Sequence, residues 1–262
     1  MPENSRIESE QILERLRIAV ARDQRIVAVL QGGSAVLGAV DEFSDLDLVI
    51  VCADNAQADV LAEAGSLAAE LGPLLVSFTG EHVGEPRLVV CLYGPPLLHV
   101  DLKFIRLADL SERVEDGISV WRRDEIVEKA LRPGDARWPD PDRQWIEDRF
   151  WVWVNYTTAK IGRGELFEAL DALAQLRRFV LGPLIAARHG RRAQGVRRLE
   201  QYAPEAVRLQ RTLGGHTREA CTSALRATIE MYLDLRLDGA GDVAPRAAAE
   251  AACLAYLDEV AG

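Results

Sequence analysis

The chain has 262 residues, enough for one large domain or two modest ones, each with a real core. Its 41 acidic side chains outnumber 31 lysines and arginines, and the net charge of −10 argues against a nucleic-acid substrate, since phosphate backbones are bound by basic surfaces; a small, cationic partner suits it better. The four cysteines form no C-x-x-C pair and no apolar run resembles a signal or a membrane span, so neither a disulfide framework, a zinc site nor a membrane segment is indicated, and a cytoplasmic protein is expected.

Ile12, Leu13, Leu16 and Val20 recur at helical spacing and predict an opening amphipathic helix that ends near Asp23. Ile26 to Gln31 is a β-branched strand that runs into Gly32-Gly33-Ser34, and AVLGAV after it can begin a helix. Glycine lets backbone approach a ligand, and a serine at a helix start offers its hydroxyl beside free N–H groups, so Gly33 and Ser34 are candidate phosphate contacts. Next, Leu46, Leu48 and Ile50 alternate with Asp45, Asp47 and Val49, as in a strand with one buried face. Both aspartates then project the same way, roughly 6 to 7 Å apart, close enough to share a magnesium ion or a close pair of them. An ordinary strand showing one face to water would have the same pattern.

Asp54 to Leu71 is predicted helical and is stopped by Gly72-Pro73. Leu74 to Phe78, Leu88 to Leu92 and Leu97 to Ile105 read as further strands of the same sheet, and in the last of them Asp101, between Val100 and Leu102, is placed to face the same metals. The polar loop TGEHVGEPR carries Glu81 and Glu85; either can take a proton from an acceptor hydroxyl, or the segment is a solvated hairpin loop. Leu107 to Lys129 is predicted mainly helical. Pro133, Gly134, Pro139 and Pro141 then mark a linker between a domain at 1–132 and another at 143–262.

Past the linker, Gln144 to Ile161, Glu165 to His189, Ala203 to Leu213, Arg218 to Leu237 and Pro245 to Val260 all show helical periodicity. The predicted fold class is therefore α+β, a sheet with flanking helices followed by an all-α C-terminal domain, with a substrate cleft expected between the two. On the first of the later helices Trp153, Tyr156 and Lys160 share a face. Lys160 can hold a triphosphate as a point charge, or simply sit well near a helix C-terminus, and the tryptophans can equally be core. Glu165, Glu168 and Asp171 suit a cationic amine, or a helix start. Arg188, Arg191, Arg192, Arg197 and Arg198 around His189-Gly190 read as a solvated loop, with a phosphate contact or partner surface as alternatives.

A Gly-Ser turn, an Asp-x-Asp strand about ten residues on and a later apolar-Asp-apolar strand together resemble the nucleotidyltransferase superfamily of DNA polymerase β and the antibiotic nucleotidyltransferases. Asp23 to Asp47 and the set Phe150-Trp151, Tyr156, Ala159-Lys160, Arg163-x-Glu165-Leu166, Ala169 and Asp171 are similar to the streptomycin (aminoglycoside) 6-adenylyltransferases, over most of residues 10 to 175. Two departures stand out: an aromatic partner displaced to Trp153, and a Lys160 to Arg163 step about one residue short.

The resemblance implies a nucleotidyltransferase-fold mixed sheet with two magnesium ions on Asp45, Asp47 and Asp101. It makes Ser34 and Lys160 phosphate contacts, and ATP or another nucleoside triphosphate the co-substrate. The implied activity is transfer of AMP or another NMP to a hydroxyl of a small molecule, an aminoglycoside such as streptomycin, with pyrophosphate leaving. From the residues themselves, Trp153, Tyr156, Glu165 and Asp171 are candidate substrate contacts and Glu85 a candidate general base. A lincosamide, another metabolite or a protein partner, as with the minimal antitoxin members, is the alternative acceptor, and an inactive nucleotide-binding module is the alternative class. Monomer and homodimer are both compatible with it.

Overall fold

The computed structural model describes residues 3–131, 136, 138–239, 241 and 243–262. They belong to two compact units, Met1–Arg137 and Trp138–Gly262. Pro133 and Gly134 of the expected linker lie outside the described residues.

In the first unit α1 (Glu3–Arg22) leads into β1 (Ile26–Gln31), β2 (Leu46–Cys52), α2 (Gln57–Ala62), α3 (Ala64–Glu70), β3 (Leu74–Gly80), β4 (Glu85–Tyr93), β5 (Leu98–Arg106), β6 (Ile118–Arg122) and α4 (Ile126–Ala130). The strands form one six-stranded sheet in the order β3-β4-β5-β2-β1-β6. It is mixed: β2 and β5 run parallel, while their other neighbours pair antiparallel.

Alternation along the strands decides which side chains face the helices. Leu46, Leu48 and Ile50 of β2, Val89, Cys91 and Tyr93 of β4, and Val100, Leu102 and Phe104 of β5 pack with Ile12, Leu16 and Val20 of α1 and with Val60, Ala64 and Ala68 of α2 and α3. The opposite parity carries Asp47 and Val49, Val90 and Leu92, and His99, Asp101 and Lys103, none of them buried. A slip of one residue in β2 or β5 would drive aspartates and a lysine into that core. Each apolar side chain moved out would forfeit about 1.5–3 kcal/mol, and the register is therefore strongly specified.

Two segments differ from the sequence expectation. AVLGAV does not start a helix: Gly33–Ala35 is a single 3-10 turn, and Gly38 at φ +61° takes the chain into the left-handed region two turns of helix would have needed to avoid. Leu107 to Lys129 is not one helix but a 3-10 segment at Leu107–Glu112, then β6 and α4. Here tertiary pairing overrides local propensity, because β6 joins β1 at the sheet edge. Gly117 lets it in, since a Cβ there would stand 2.8 Å from Leu30 Cβ.

The second unit is helical throughout: α5 (Arg143–Arg163), α6 (Leu166–Leu176), α7 (Gly182–Arg188), α8 (Leu199–Tyr202), α9 (Glu205–Leu209), α10 (Arg218–Arg236) and α11 (Ala247–Ala261). The long helix expected from Glu165 to His189 is divided by a π-helical turn at Arg177–Leu181. Asp142 caps α5 by accepting from the Trp145 N–H, and Gly164 at φ 74° ends it. Phe150, Trp151 and Tyr232 form the aromatic centre of the core, with Phe150 and Tyr232 stacked at 3.8 Å.

Glu147 is fully buried within this unit. It accepts from Trp151 Nε1, the Arg246 N–H, Tyr232 O–H and Arg236. Burial alone would push its carboxyl up; the Arg246 N–H, the Tyr232 hydroxyl and the Arg236 charge outweigh that and hold it below the usual glutamate value.

Candidate active site

The parallel pairing of β2 with β5 sets Asp47 directly opposite Asp101. Strands in register lie about 4.8 Å apart, and both residues have the parity opposite to that core, so two carboxylates stand side by side on the sheet's other face, before Val51 and Ile105, which are buried on that face with Leu110 and Val127. The turn after β1 closes over the same spot. The Gly32 N–H donates to the Asp47 carbonyl at 3.0 Å, and Gly33, at φ +62°, lies so close to the Asp47 carboxylate that a Cβ there would stand 1.8 Å from Oδ2. Only glycine allows both the left-handed backbone and this approach.

Two residues that sequence reasoning did not single out complete the group. His99 Nε2 is 2.9 Å from Asp101 Oδ1; it lies two residues before Asp101 on the same parity of β5, so the alternation carried the signal. Glu115 accepts the Gly33 N–H at 2.8 Å, and it sits in the stretch expected to be helical, where nothing local pointed to it. That bond also corrects the expected phosphate cradle. With the Gly33 N–H engaged and no α-helix following, the turn lacks a helix N-terminus of free donors. Ser34 is on the turn and 6% exposed.

The expected trio of carboxylates is gathered only in part. β2 begins at Leu46, so Asp45 falls just before the strand. It lines a hollow of about 300 Å³ with Glu42, Phe43, Leu92, Leu97 and His99. Among the described residues no three His, Cys, Asp or Glu side chains converge on one point as they stand. In kind, the donors fit magnesium: hard carboxylate oxygens, from Asp47 and Asp101 on adjacent strands. A larger hollow of about 410 Å³ next to Arg25 and Glu63 reaches Ile26, which pairs with Cys52 at the far end of β2 from the aspartates.

Glu85 is not in a loop but is the first residue of β4. It is paired with Arg87 at 2.7 Å and Lys103 at 2.9 Å. The hydrogen bond from Arg87, helped by Lys103 against partial burial, holds its pKa down at about 2. A carboxylate so strongly stabilised is a poor proton acceptor, which counts against it as general base. Glu81 is exposed and accepts from the Thr79 hydroxyl.

In the second unit, Lys160 Nζ lies 2.5 Å from Glu165 and 3.2 Å from Glu168. It stands 5.1 Å from the centre of the Tyr156 ring, and the Tyr156 hydroxyl donates to Glu168. Hydrogen bonds that Lys160 donates to Glu165 first, then to Glu168, raise its pKa. A phosphate taking Lys160 would therefore compete with two carboxylates. Trp153 is packed edge-on to Trp145 at 5.7 Å against the helical core, the structural alternative for that residue. Asp171 is exposed on α6 outside the Lys160 group. Arg188 is tied to Glu205, Asp234 and Asp238, so it is not part of a solvated loop.

Among the described residues no helix is long and apolar enough to cross a membrane. Compared with known proteins, the chain matches no family model and no curated protein. Among solved structures it is similar to an aminoglycoside 6-adenyltransferase from Bacillus subtilis, with 15% identity and a TM-score of 0.40 over 97% of this chain and 98% of that one. It is also similar to a nucleotidyltransferase-like protein from Exiguobacterium sibiricum, with 13% identity and a TM-score of 0.38 over 88% of this chain and 76% of that one.

Proposed function

We propose that the chain is a nucleotidyltransferase that moves a nucleoside monophosphate, AMP first among the candidates, from a triphosphate to a hydroxyl of a small molecule, with pyrophosphate leaving. One observation carries the reading: Asp47 and Asp101 stand opposite each other in a parallel register, with a glycine turn packed onto one of them. Paired carboxylates held out of a core by strand parity are what a magnesium-dependent phosphoryl transfer needs.

Asp47 and Asp101 would hold the magnesium, with Asp45 next along the chain. When bound, the ion supplies charge neutralisation on the phosphates and a more acidic acceptor hydroxyl. The residues of the chain do the positioning. Gly33 limits where the Asp47 carboxylate can lie, Glu115 anchors the turn through the Gly33 N–H, and His99 holds Asp101 by a hydrogen bond. Ser34 and Lys160 are the phosphate contacts that the family resemblance suggests. An aminoglycoside is the acceptor we favour, on that resemblance and on the acidic balance of the chain.

The test is pyrophosphate release from ATP, CTP, GTP and UTP with magnesium over a panel of aminoglycosides, lincosamides and simple amino alcohols. Release should require one acceptor class and should fall at least about a hundredfold in Asp47→Asn, the scale of losing one transition-state contact. Undiminished release in that variant, or no magnesium-dependent triphosphate binding by the wild type, refutes the assignment.

A further inference from the structure

We propose that β3, the outer strand at one edge of the sheet, pairs antiparallel with β3 of a second copy of this chain about a two-fold axis at Ser77. The inference is independent of the transfer reading.

The two edges of the sheet, β3 and β6, are finished differently. β6 has five residues and runs into Arg122 and Arg123. Its Val120 carbonyl accepts from Arg17 Nε at 3.2 Å, and the Arg123 guanidinium lies 5.2 Å from the centre of the Trp121 ring. Arginines on so short a strand blunt it against pairing. β3 has no such protection. Its seven residues, Leu74–Gly80, include neither a charge nor a proline, and the irregularities of its ladder with β4 fall at its two ends. Among the described residues no side chain bonds to its outward backbone groups. An edge left in that state is a template for another strand.

The side chains say which strand. Val76 and Phe78 pair with Leu92 and Val90 of β4, on the face away from the core that α1 covers, and both are 50% exposed. Antiparallel pairing about Ser77 sets Val76 opposite Phe78 of the second copy and Phe78 opposite its Val76. A β-branched residue across from an aromatic one is a favourable pair, and the two-fold makes it twice. Charge does not oppose the contact. A net charge of −10 makes two copies repel over most of their surface, but the paired segment is neutral. Beyond its ends the two-fold brings the exposed Glu81 alongside Gly72 and Pro73 of the other copy, where Arg15 stands. Arg15 donates to the Leu71 carbonyl at 3.0 Å and has no carboxylate partner among the described residues. Opposite charges therefore meet at both rims. About ten residues a side is a third to a half of the roughly 20–30 in an ordinary interface, the size of a weak, reversible dimer.

Sedimentation velocity on the whole chain, from about 5 to 500 µM, should show a monomer–dimer equilibrium with a dissociation constant on the order of 100 µM, as suits so small an interface. Backbone amides of residues 75–79 should exchange more slowly at the top of that range than at the bottom. Val76→Lys with Phe78→Lys puts like charges opposite each other at both apolar pairs and should weaken the dimer at least about tenfold, as should Val76→Glu with Phe78→Glu. Mixing the two double variants should restore association as a heterodimer, because every such pair is then glutamate against lysine. Both positions are half exposed, so each variant in dilute solution should melt close to the wild type.

A wild type that stays monomeric throughout the range overturns the proposal and leaves the edge to a strand of some other protein or to water. A dimer undiminished in both double variants overturns it as well, since another surface then holds the copies together. Double variants that remain monomeric when mixed overturn the register about Ser77, and the proposal with it. The wild-type concentration series and its amide exchange need no substitution, so a variant that fails to fold does not remove the test.

Discussion

Two glycines with the same backbone and different surroundings allow the Asp47 contact to be weighed. Gly33 has φ +62° and Gly38 φ +61°, but a Cβ on Gly38 meets nothing within 4 Å, whereas one on Gly33 would stand 1.8 Å from Asp47 Oδ2, 2.8 Å from Cγ and 3.3 Å from Cβ. Alanine in the left-handed region costs about 1–2 kcal/mol at either site. At Gly33 the Asp47 carboxylate must also leave its rotamer and the turn must give, for roughly a further 1–2 kcal/mol. Gly38→Ala should therefore lose about 1–2 kcal/mol and Gly33→Ala about 2–4 kcal/mol, a difference of several degrees in melting midpoint.

Scanning calorimetry reads the stability, and isothermal titration of magnesium–ATP reads the site. Binding should survive in Gly38→Ala and weaken at least about tenfold in Gly33→Ala, since a displacement on the order of 1 Å at a reacting group is costly. Alanine retains the N–H that Glu115 accepts, so loss of that bond does not account for the difference. Equal stability and equal binding in the two variants would mean that the Asp47 carboxylate does not lie on Gly33, and the account of the turn would be wrong.

Glu147→Ala should destabilise the helical unit by about 3–5 kcal/mol, because it leaves Tyr232, Trp151 and the Arg246 N–H without their acceptor and removes the partner of the partly buried Arg236. Glu147→Gln, which keeps the volume, should lose clearly less, and urea titration followed by tryptophan fluorescence would expose the reasoning if the two cost the same. For Glu85 the sign follows from a folded-state pKa held at about 2, below its ordinary 4.5. The stabilisation is complete above pH 4.5 and is lost as the pH falls from there towards 2. Melting midpoints of wild type and Glu85→Gln should thus differ by the equivalent of about 1 kcal/mol at pH 7, discounted for partners that are 40% exposed, and converge in acid. A gap that persists undiminished at pH 3 and below would show that the ion pairs are not its source.

Period and parity made much of this protein legible in advance. The Leu46, Leu48, Ile50 alternation named both the buried face and the side on which Asp47 stands, and Val100, Leu102 and Phe104 did the same for Asp101. Helical spacing located the later helices, since a 3.6-residue period is a property of the local chain. Two of the failures involve partners distant in sequence: β6 is a strand because β1 offers it an edge, and Glu85 is at the start of β4 in the grip of Lys103 from β5. The others are local, the AVLGAV turn at Gly38 and Lys160 held by Glu165 and Glu168 a few residues on.

By itself, then, the sequence determined which residues could carry chemistry and which way the strands would turn them. The tertiary structure alone decided that β2 and β5 run parallel with Asp47 opposite Asp101, that Gly33 is spent on Glu115, and that His99 belongs to the site. Periodicity is written into neighbouring residues, whereas strand order and register are settled by the burial of a whole core, to which every element contributes at once.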